Sequence, residues 1–349
     1  GIHFTSDNEN VTTVSADGTV TIKNAGTAKI TVSMDESQNF LAVSKEVTVT
    51  VAPKEITVTP DNASKVYGES DKEFTYTPSG LVGEDTLSDI TLSRAEGDNV
   101  GTYEITAAQK KDANPNYSVK FNKGTFTINP KEITVTITPN GGTYEGNIIS
   151  AAAVLNGLVG EDKPEIILTY AGKANDGTEV NGTKTPVLAG TYTVTASITD
   201  SNYNLKAEGT TAEFVVTKAT PGLSVAAVSD KSYGEGAFKL GVSNKGDGLK
   251  SYVSSNEKVV TVDEKGTITI VGAGTATLTV SLAESANYTA DRKAVTVTVA
   301  PKEITVTADN QKKIAGEADP VLTYTADGLV GEDTLSGITV KRKAGEKVG

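Results

Sequence analysis

The stretch Val47-Thr48-Val49-Thr50-Val51-Ala52-Pro53-Lys54-Glu55-Ile56-Thr57-Val58 decides the fold. Apolar and polar residues alternate on both sides of a single proline. A period of two marks a β-strand with one face in a core and the other in water. Threonine suits the wet face because it is β-branched yet polar. Proline fixes φ and removes a backbone donor, so Pro53 ends one strand and lets another begin at once. The stretch predicts two β-units meeting at a short, stiff joint rather than through a flexible linker.

The same twelve residues return unchanged at 295–306, and the joint sequence Pro-Lys-Glu-Ile-Thr-Val also occupies 130–135. The last 101 residues repeat the first 101 in register at an offset of 248, and 30 of 48 positions are identical between 54–101 and 302–349. Repetition at this scale predicts an array of modules. Pro53, Pro130 and Pro301 mark three boundaries, and Lys218-Ala219-Thr220-Pro221 forms a looser fourth. Two module types are expected. One covers 54–130, 131–218 and the N-terminal part of a copy at 302–349. The other covers 219–301 and the C-terminal part of a copy at 1–53. Partial modules at both ends predict a segment of a longer chain.

Turn signals fall between the alternating runs. Asp17-Gly18 and Lys265-Gly266 read as tight hairpins, where glycine supplies a positive φ. Short strands with turns at this spacing predict β-sandwiches. The expected fold class is all-β: a tandem array of immunoglobulin-like antiparallel β-sandwich modules arranged as an elongated rod.

Composition narrows the chemistry. Cysteine is absent and His3 is the one histidine, in a partial module. Disulfides, thiol catalysis and zinc clusters are excluded, and so are histidine-based sites in the complete modules. A net charge of −12 argues against a nucleic-acid partner. No apolar run reaches membrane-spanning length, so no membrane contact is expected within this stretch. No phosphate loop, dinucleotide fingerprint or serine elbow occurs. The expectation is no enzyme, no cofactor and no catalytic or metal residue. The recurrent pairs Glu84-Asp85, Glu161-Asp162 and Glu332-Asp333 sit in glycine-flanked turns and read as solvated loops, with a calcium contact as the alternative.

At this point the residues resemble known families. The 219–301 type, with Ser254-Ser255-Asn256, Val262-Asp263, Gly266-Thr267-Ile268-Thr269 and Ala273-Gly274-Thr275-Ala276, resembles the bacterial immunoglobulin-like domain, group 2. The 54–130 type, with Tyr67-Gly68, Gly80-Leu81-Val82-Gly83-Glu84-Asp85 and Val100-Gly101-Thr102-Tyr103, resembles the MBG repeat of large bacterial surface proteins. Aligned with it, 302–349 has Ile314-Ala315-Gly316, so the tyrosine is not obligatory. The resemblance implies an extracellular, wall-attached or secreted location. It brings no catalytic residues.

Three groups of candidate residues remain. Tyr103 and Tyr192 follow Gly-Thr and precede Ile105 and Val194 by two positions, which predicts tyrosine corners whose hydroxyls bond back to the backbone. Asn39-Phe40, Asn116-Tyr117, Asn202-Tyr203 and Asn287-Tyr288 read as a turn residue followed by an aromatic plug at the sandwich end. The module 131–218 is longer than its sibling, and the extra residues fall in 171–189. There Asp176-Gly177 and Asn181-Gly182 read as hairpin turns, which makes the segment a plain extended hairpin; as an enlarged loop or added ribbon it is also where a grafted ligand site at Asp176, Asn181 and Lys184 would live. An isopeptide crosslink from Lys54, Lys131 or Lys302 is a further reading with no identifiable partner.

The expected role is a stalk or spacer segment of an adhesin-like protein, in the form of a monomeric rod. One alternative is an adhesin module that engages a glycan or host surface protein through 171–189. Another is a set of accessory modules of a secreted polysaccharide-degrading enzyme.

Overall fold

A computed structural model describes all residues except Asn147 and Ile149. Among the described residues every regular element is a β-strand. The chain divides into two compact units. One comprises 1–136, 153–167 and 196–210, and the other 137–152, 168–195 and 211–349.

In the first unit, Gly26–Met34 lies between Ile2–Ser6 and Val43–Val51, all antiparallel. The hairpin of Thr12–Val14 and Val20–Ile22 closes at Gly18, whose φ of 84° an L side chain adopts only with strain. Residues 54–130 form two sheets. One places Lys54–Pro60 between Tyr117–Phe121 and Tyr76–Ser79. The other runs Ala63–Val66, Gly124–Asn129, Gly101–Gln109, Ile90–Arg94. Ile105, Phe126 and Ile128 form the centre of its core, packed by Phe74, Val100 and Tyr103.

A five-stranded sheet, most of it in the second unit, runs Gly142–Thr143, Thr211–Thr217, Gly190–Ile198, Ile166–Ala174, Glu179–Gly182. Tyr170, Tyr192, Val194, Phe214 and Val216 are buried together on it. Residues 219–301 build the largest core, from Leu223, Leu240, Val260, Ile268, Leu278, Val280 and Val297 among others. Thr305–Ala308 and Tyr324–Asp327 form a final hairpin.

Three expectations need correction. The sheets are mixed rather than wholly antiparallel. Lys54–Pro60 pairs in parallel with Tyr117–Phe121, and Ala63–Val66 pairs in parallel with Gly124–Asn129. Alternation reveals strands but not their direction. Pro60 lacks a donor, so the first strand ends there and resumes in the opposite sheet. Second, Asn181-Gly182 is not a turn. Both residues lie in the strand Glu179–Gly182, with Asn181 opposite Ala171, so 171–182 is a paired hairpin and 183–189 lies outside the strands. Third, Val47 is exposed although its counterpart Val295 is half-buried. The strands Lys231–Ser232 and Phe238–Lys239, which complete the sheets of 219–301, have no counterpart within 1–53.

Candidate functional site

The residues with the most specific geometry lie where one module meets the next. The asparagines read as turn formers do more than turn the chain. Asn116 closes the turn that begins at Asn114, where the Tyr117 amide donates to the Asn114 carbonyl at 3.0 Å. Its own carbonyl accepts the amide of Lys54, the first residue of its module, at 2.9 Å. Its side chain points the other way. Asn116 Oδ1 accepts the Ala25 amide at 2.8 Å, and Nδ2 donates to Asn24 Oδ1 at 2.8 Å.

The same knot recurs. The Asn202 carbonyl accepts the Lys131 amide at 2.9 Å. Asn202 Oδ1 accepts the Val100 amide at 2.8 Å, and Nδ2 donates to Asn99 Oδ1 at 3.1 Å. The Asn287 carbonyl accepts the Ala219 amide at 2.9 Å, and its Oδ1 accepts the Ala189 amide at 3.0 Å. Each time the acceptor meets the amide one residue before the glycine that opens a long strand: Gly26, Gly101 or Gly190. Only a carboxamide carries an acceptor and a donor on one short planar group, which the first two knots use in full.

The tyrosine after each asparagine completes the joint. The Tyr203 ring stands edge-on to Tyr67 with centroids 5.3 Å apart. Both hydroxyls donate to Asp162 Oδ2, Tyr67 at 3.0 Å. The Tyr203 oxygen also accepts the Val159 amide at 3.0 Å. Burial, followed by the Asp162 carboxylate, pushes the Tyr203 hydroxyl up to about 12. A Cβ on Gly68 would lie 2.4 Å from Val159, so the close approach needs glycine. Tyr233-Gly234 makes the same approach: the Asp333 carboxylate raises the Tyr233 hydroxyl above its ordinary value, and a Cβ on Gly234 would lie 2.5 Å from Val330. Asp85 and Tyr117 form the equivalent pair at the head of 54–130, where the Val82 amide donates to Tyr117 at 3.1 Å. The acidic turns are therefore anchored by tyrosine rather than merely solvated.

The joint ahead of 219–301 uses another arrangement. Tyr144 meets Tyr288 edge-on with centroids 5.3 Å apart. The next residue is Glu145, in the left-handed region at φ 58° where the other copies have glycine. Its carboxylate, followed by burial, pushes the Tyr288 hydroxyl up to about 12. The 171–189 ribbon reaches the same joint, where Asn175 Nδ2 donates to the Ala286 carbonyl at 3.0 Å.

The candidate residues are placed as follows. The Tyr103 hydroxyl donates to the Asn99 carbonyl at 2.7 Å, and Tyr192 to the Leu188 carbonyl at 2.9 Å. Pro53 and Pro130 each lie in a gap between consecutive strands, and Pro301 follows the strand Asp291–Ala300. Asp176 Oδ1 accepts the Thr178 amide at 2.8 Å and so closes its own turn, which holds its carboxyl below the usual range. Asn181 and Lys184 are exposed, and Asn181 lies opposite Ala171 in the strand pair. Lys54 and Lys302 are exposed. Among the described residues no cluster of three or more His, Asp or Glu could hold a metal ion. No helix among them is long and apolar enough to cross a membrane.

One charged cluster escaped the sequence reading. Lys65 Nζ lies 2.7 Å from Asp71, and Arg94 Nε lies 2.5 Å from the same carboxylate and reaches Asp98 at 3.3 Å through Nη2. The Arg94 guanidinium also stacks on Phe126, 5.0 Å from its centroid. Lys313, Asp319, Arg342 and Glu346 repeat the set. The matched offset of 248 was the available signal.

A family model for the MBG domain of YGX type matches residues 56–127 and 304–349, and a second MBG model matches 133–220. A model for the immunoglobulin-like domain of intimin matches 233–284. The chain is an array of MBG and bacterial immunoglobulin-like repeats. Such repeats are surface-protein domains. No curated protein sequence matches this MBG array. Among solved structures, domains 4–9 of the surface layer protein SbsC align at 16% identity over 95% of this chain and 63% of theirs, with TM-score 0.21. Invasin, a bacterial integrin-binding protein, aligns at 12% identity over 90% of this chain and 74% of its own, with TM-score 0.30. A SusE-like surface-located polysaccharide-binding protein from the Bacteroides thetaiotaomicron heparin utilisation locus aligns at 12% identity over 86% and 48%, with TM-score 0.19. The MBG array thus spans about three-fifths of the length of the SbsC chain it matches.

Proposed function

We propose that this MBG and immunoglobulin-like array is a non-catalytic spacer in a bacterial cell-surface or secreted adhesin-like protein. It acts as a monomer that holds other domains at a distance. The observation that carries this reading is the asparagine knot, repeated at three joints with the same atoms. A flexible tether has no use for the same specific hydrogen bond at three of its boundaries. A spacer that must keep its length does, because each joint otherwise gains freedom by bending.

The asparagine knots and the proline boundaries support joints that are fixed rather than flexible. A module of about 80 residues has a radius of gyration near 12 Å, so modules in line would reach on the order of 120–150 Å. Small-angle X-ray scattering on the chain tests this. A maximum dimension in that range supports the spacer, and one nearer 60–70 Å, about that expected of one compact body of this size, sinks it. A glycan array and a host-protein pull-down with the same chain test the alternatives. Retention that is lost on replacing Asp176, Asn181 and Lys184 would move the function to the ribbon.

A further inference from the structure

The joints share one arrangement: each sets a tyrosine hydroxyl beside a carboxylate that raises it, but the carboxylate comes from different sides. Ahead of 131–218 it is Asp162 of the following module, and ahead of 302–349 it is Asp333 of the following module. In both cases the residue after the joint tyrosine is glycine, at φ 84° in Gly68 and 90° in Gly234. The module 219–301 has no Val-Gly-Glu-Asp loop. There the preceding module supplies Glu145, held at φ 58° in a conformation that disfavours a side chain. Asp247 acts on Tyr288 through its charge, without a hydrogen bond.

We propose that the residue after the joint tyrosine decides which module type can follow. Glycine selects a module bearing the Val-Gly-Glu-Asp loop, and an acidic residue selects an immunoglobulin-like module that lacks it. The proposal rests on the reading of the joints as fastenings and adds their specificity. Two independent effects enforce it. Any side chain at Gly68 or Gly234 would strike Val159 or Val330, and an acidic one would also face Asp162 or Asp333. Conversely, glycine at 145 would remove the carboxylate that sits beside the buried Tyr288 where its ring meets Tyr144. The occupant of each joint is thus matched twice, by shape and by charge count.

Thermal unfolding of the full chain tests the rule through a double-mutant cycle. Glu145→Gly sits at a φ that glycine adopts freely, so folding is not at stake. Glu145→Gly and Tyr288→Phe should each lower the transition of 219–301 by about 2–4 °C, and the double variant no further than the larger single. Additive shifts overturn the proposal. A second arm compares Gly68→Glu with Gly68→Gln, which share the clash and the backbone strain. The glutamate should melt lower, and Asp162→Asn should close the gap. Equal melting of Glu and Gln also overturns it. If scattering shows an extended chain while the cycle is additive, the rule alone fails. If the cycle is coupled while the chain is compact, the spacer reading alone fails.

Discussion

The Asn202 side chain accepts the Val100 amide at 2.8 Å across a module boundary, while its own carbonyl holds Lys131 at 2.9 Å. One residue therefore fixes where its own module starts and where the previous one ends. Replacing it should loosen the boundary without opening either core. Asn202→Ala should cost roughly 2 kcal/mol, about 1 for each hydrogen bond lost. Asn202→Asp should recover part of this, since a carboxylate still accepts the amide but repels Asn99 Oδ1. Chemical denaturation of the chain, followed by the unfolding of 54–130, reads the difference. Identical curves for Ala and wild type would remove Asn202 from the joint.

Tyr192 and Tyr103 make the same bond in different surroundings. Tyr192 is 1% exposed, whereas Tyr103 is half-buried. Tyr103→Phe should cost about 1 kcal/mol and Tyr192→Phe about 1–3 kcal/mol, because the Leu188 carbonyl is left with less access to water. Differential scanning calorimetry of both variants checks the order. A larger loss at Tyr103 would contradict it.

The ion set of 54–130 makes an acid prediction. Hydrogen bonds from Arg94, then Lys65, hold the Asp71 carboxyl below its ordinary value of 3.8. A depressed folded value means the contribution is present above pH 3.8 and fades as pH falls through the folded value. Melting of 54–130 should therefore drop on acidification below about pH 4. The Arg94→Met variant should show a shallower drop. Equal slopes for wild type and variant would place the acid sensitivity elsewhere.

At the alkaline side the sign reverses. Tyr203 and Tyr288 are raised from 10 to about 12, so folding favours their neutral forms. Their contribution is whole below pH 10 and is lost as pH rises through about 12. Near-ultraviolet phenolate absorbance should show late-titrating tyrosines, and Tyr203→Phe and Tyr288→Phe should each remove one of them. Titration of every tyrosine near pH 10 would refute the hydroxyl–carboxylate pairing.

The strands were legible because alternation is local. Ile56 and Val58 are buried as their period-two positions require, with Thr57 and Thr59 between them less so. Gly18 and Gly266 turn where their dipeptides indicate, at φ 84° and 77°. Asn181-Gly182 misled because the same dipeptide serves a turn or, with φ 154° at the glycine, a strand. The joints were illegible for a different reason. Asn202 and Val100 are 102 positions apart, and no local pattern connects them. Their trace was the fourfold recurrence of Asn followed by an aromatic, and the single substitution of Glu145 for glycine after a joint tyrosine. Both are visible once modules are aligned, but their meaning needs the neighbour in space.

The distance between two modules is the most direct measure of a fastened joint. The absence of cysteine allows spin labels on Lys72→Cys and Glu208→Cys with no competing thiol. Pulsed electron–electron resonance should give one narrow distance distribution, broadened when Asn202→Ala and Asp162→Asn are combined in the same chain. A broad distribution in the parent, unchanged by those two substitutions, would mean that the modules turn freely about their joints.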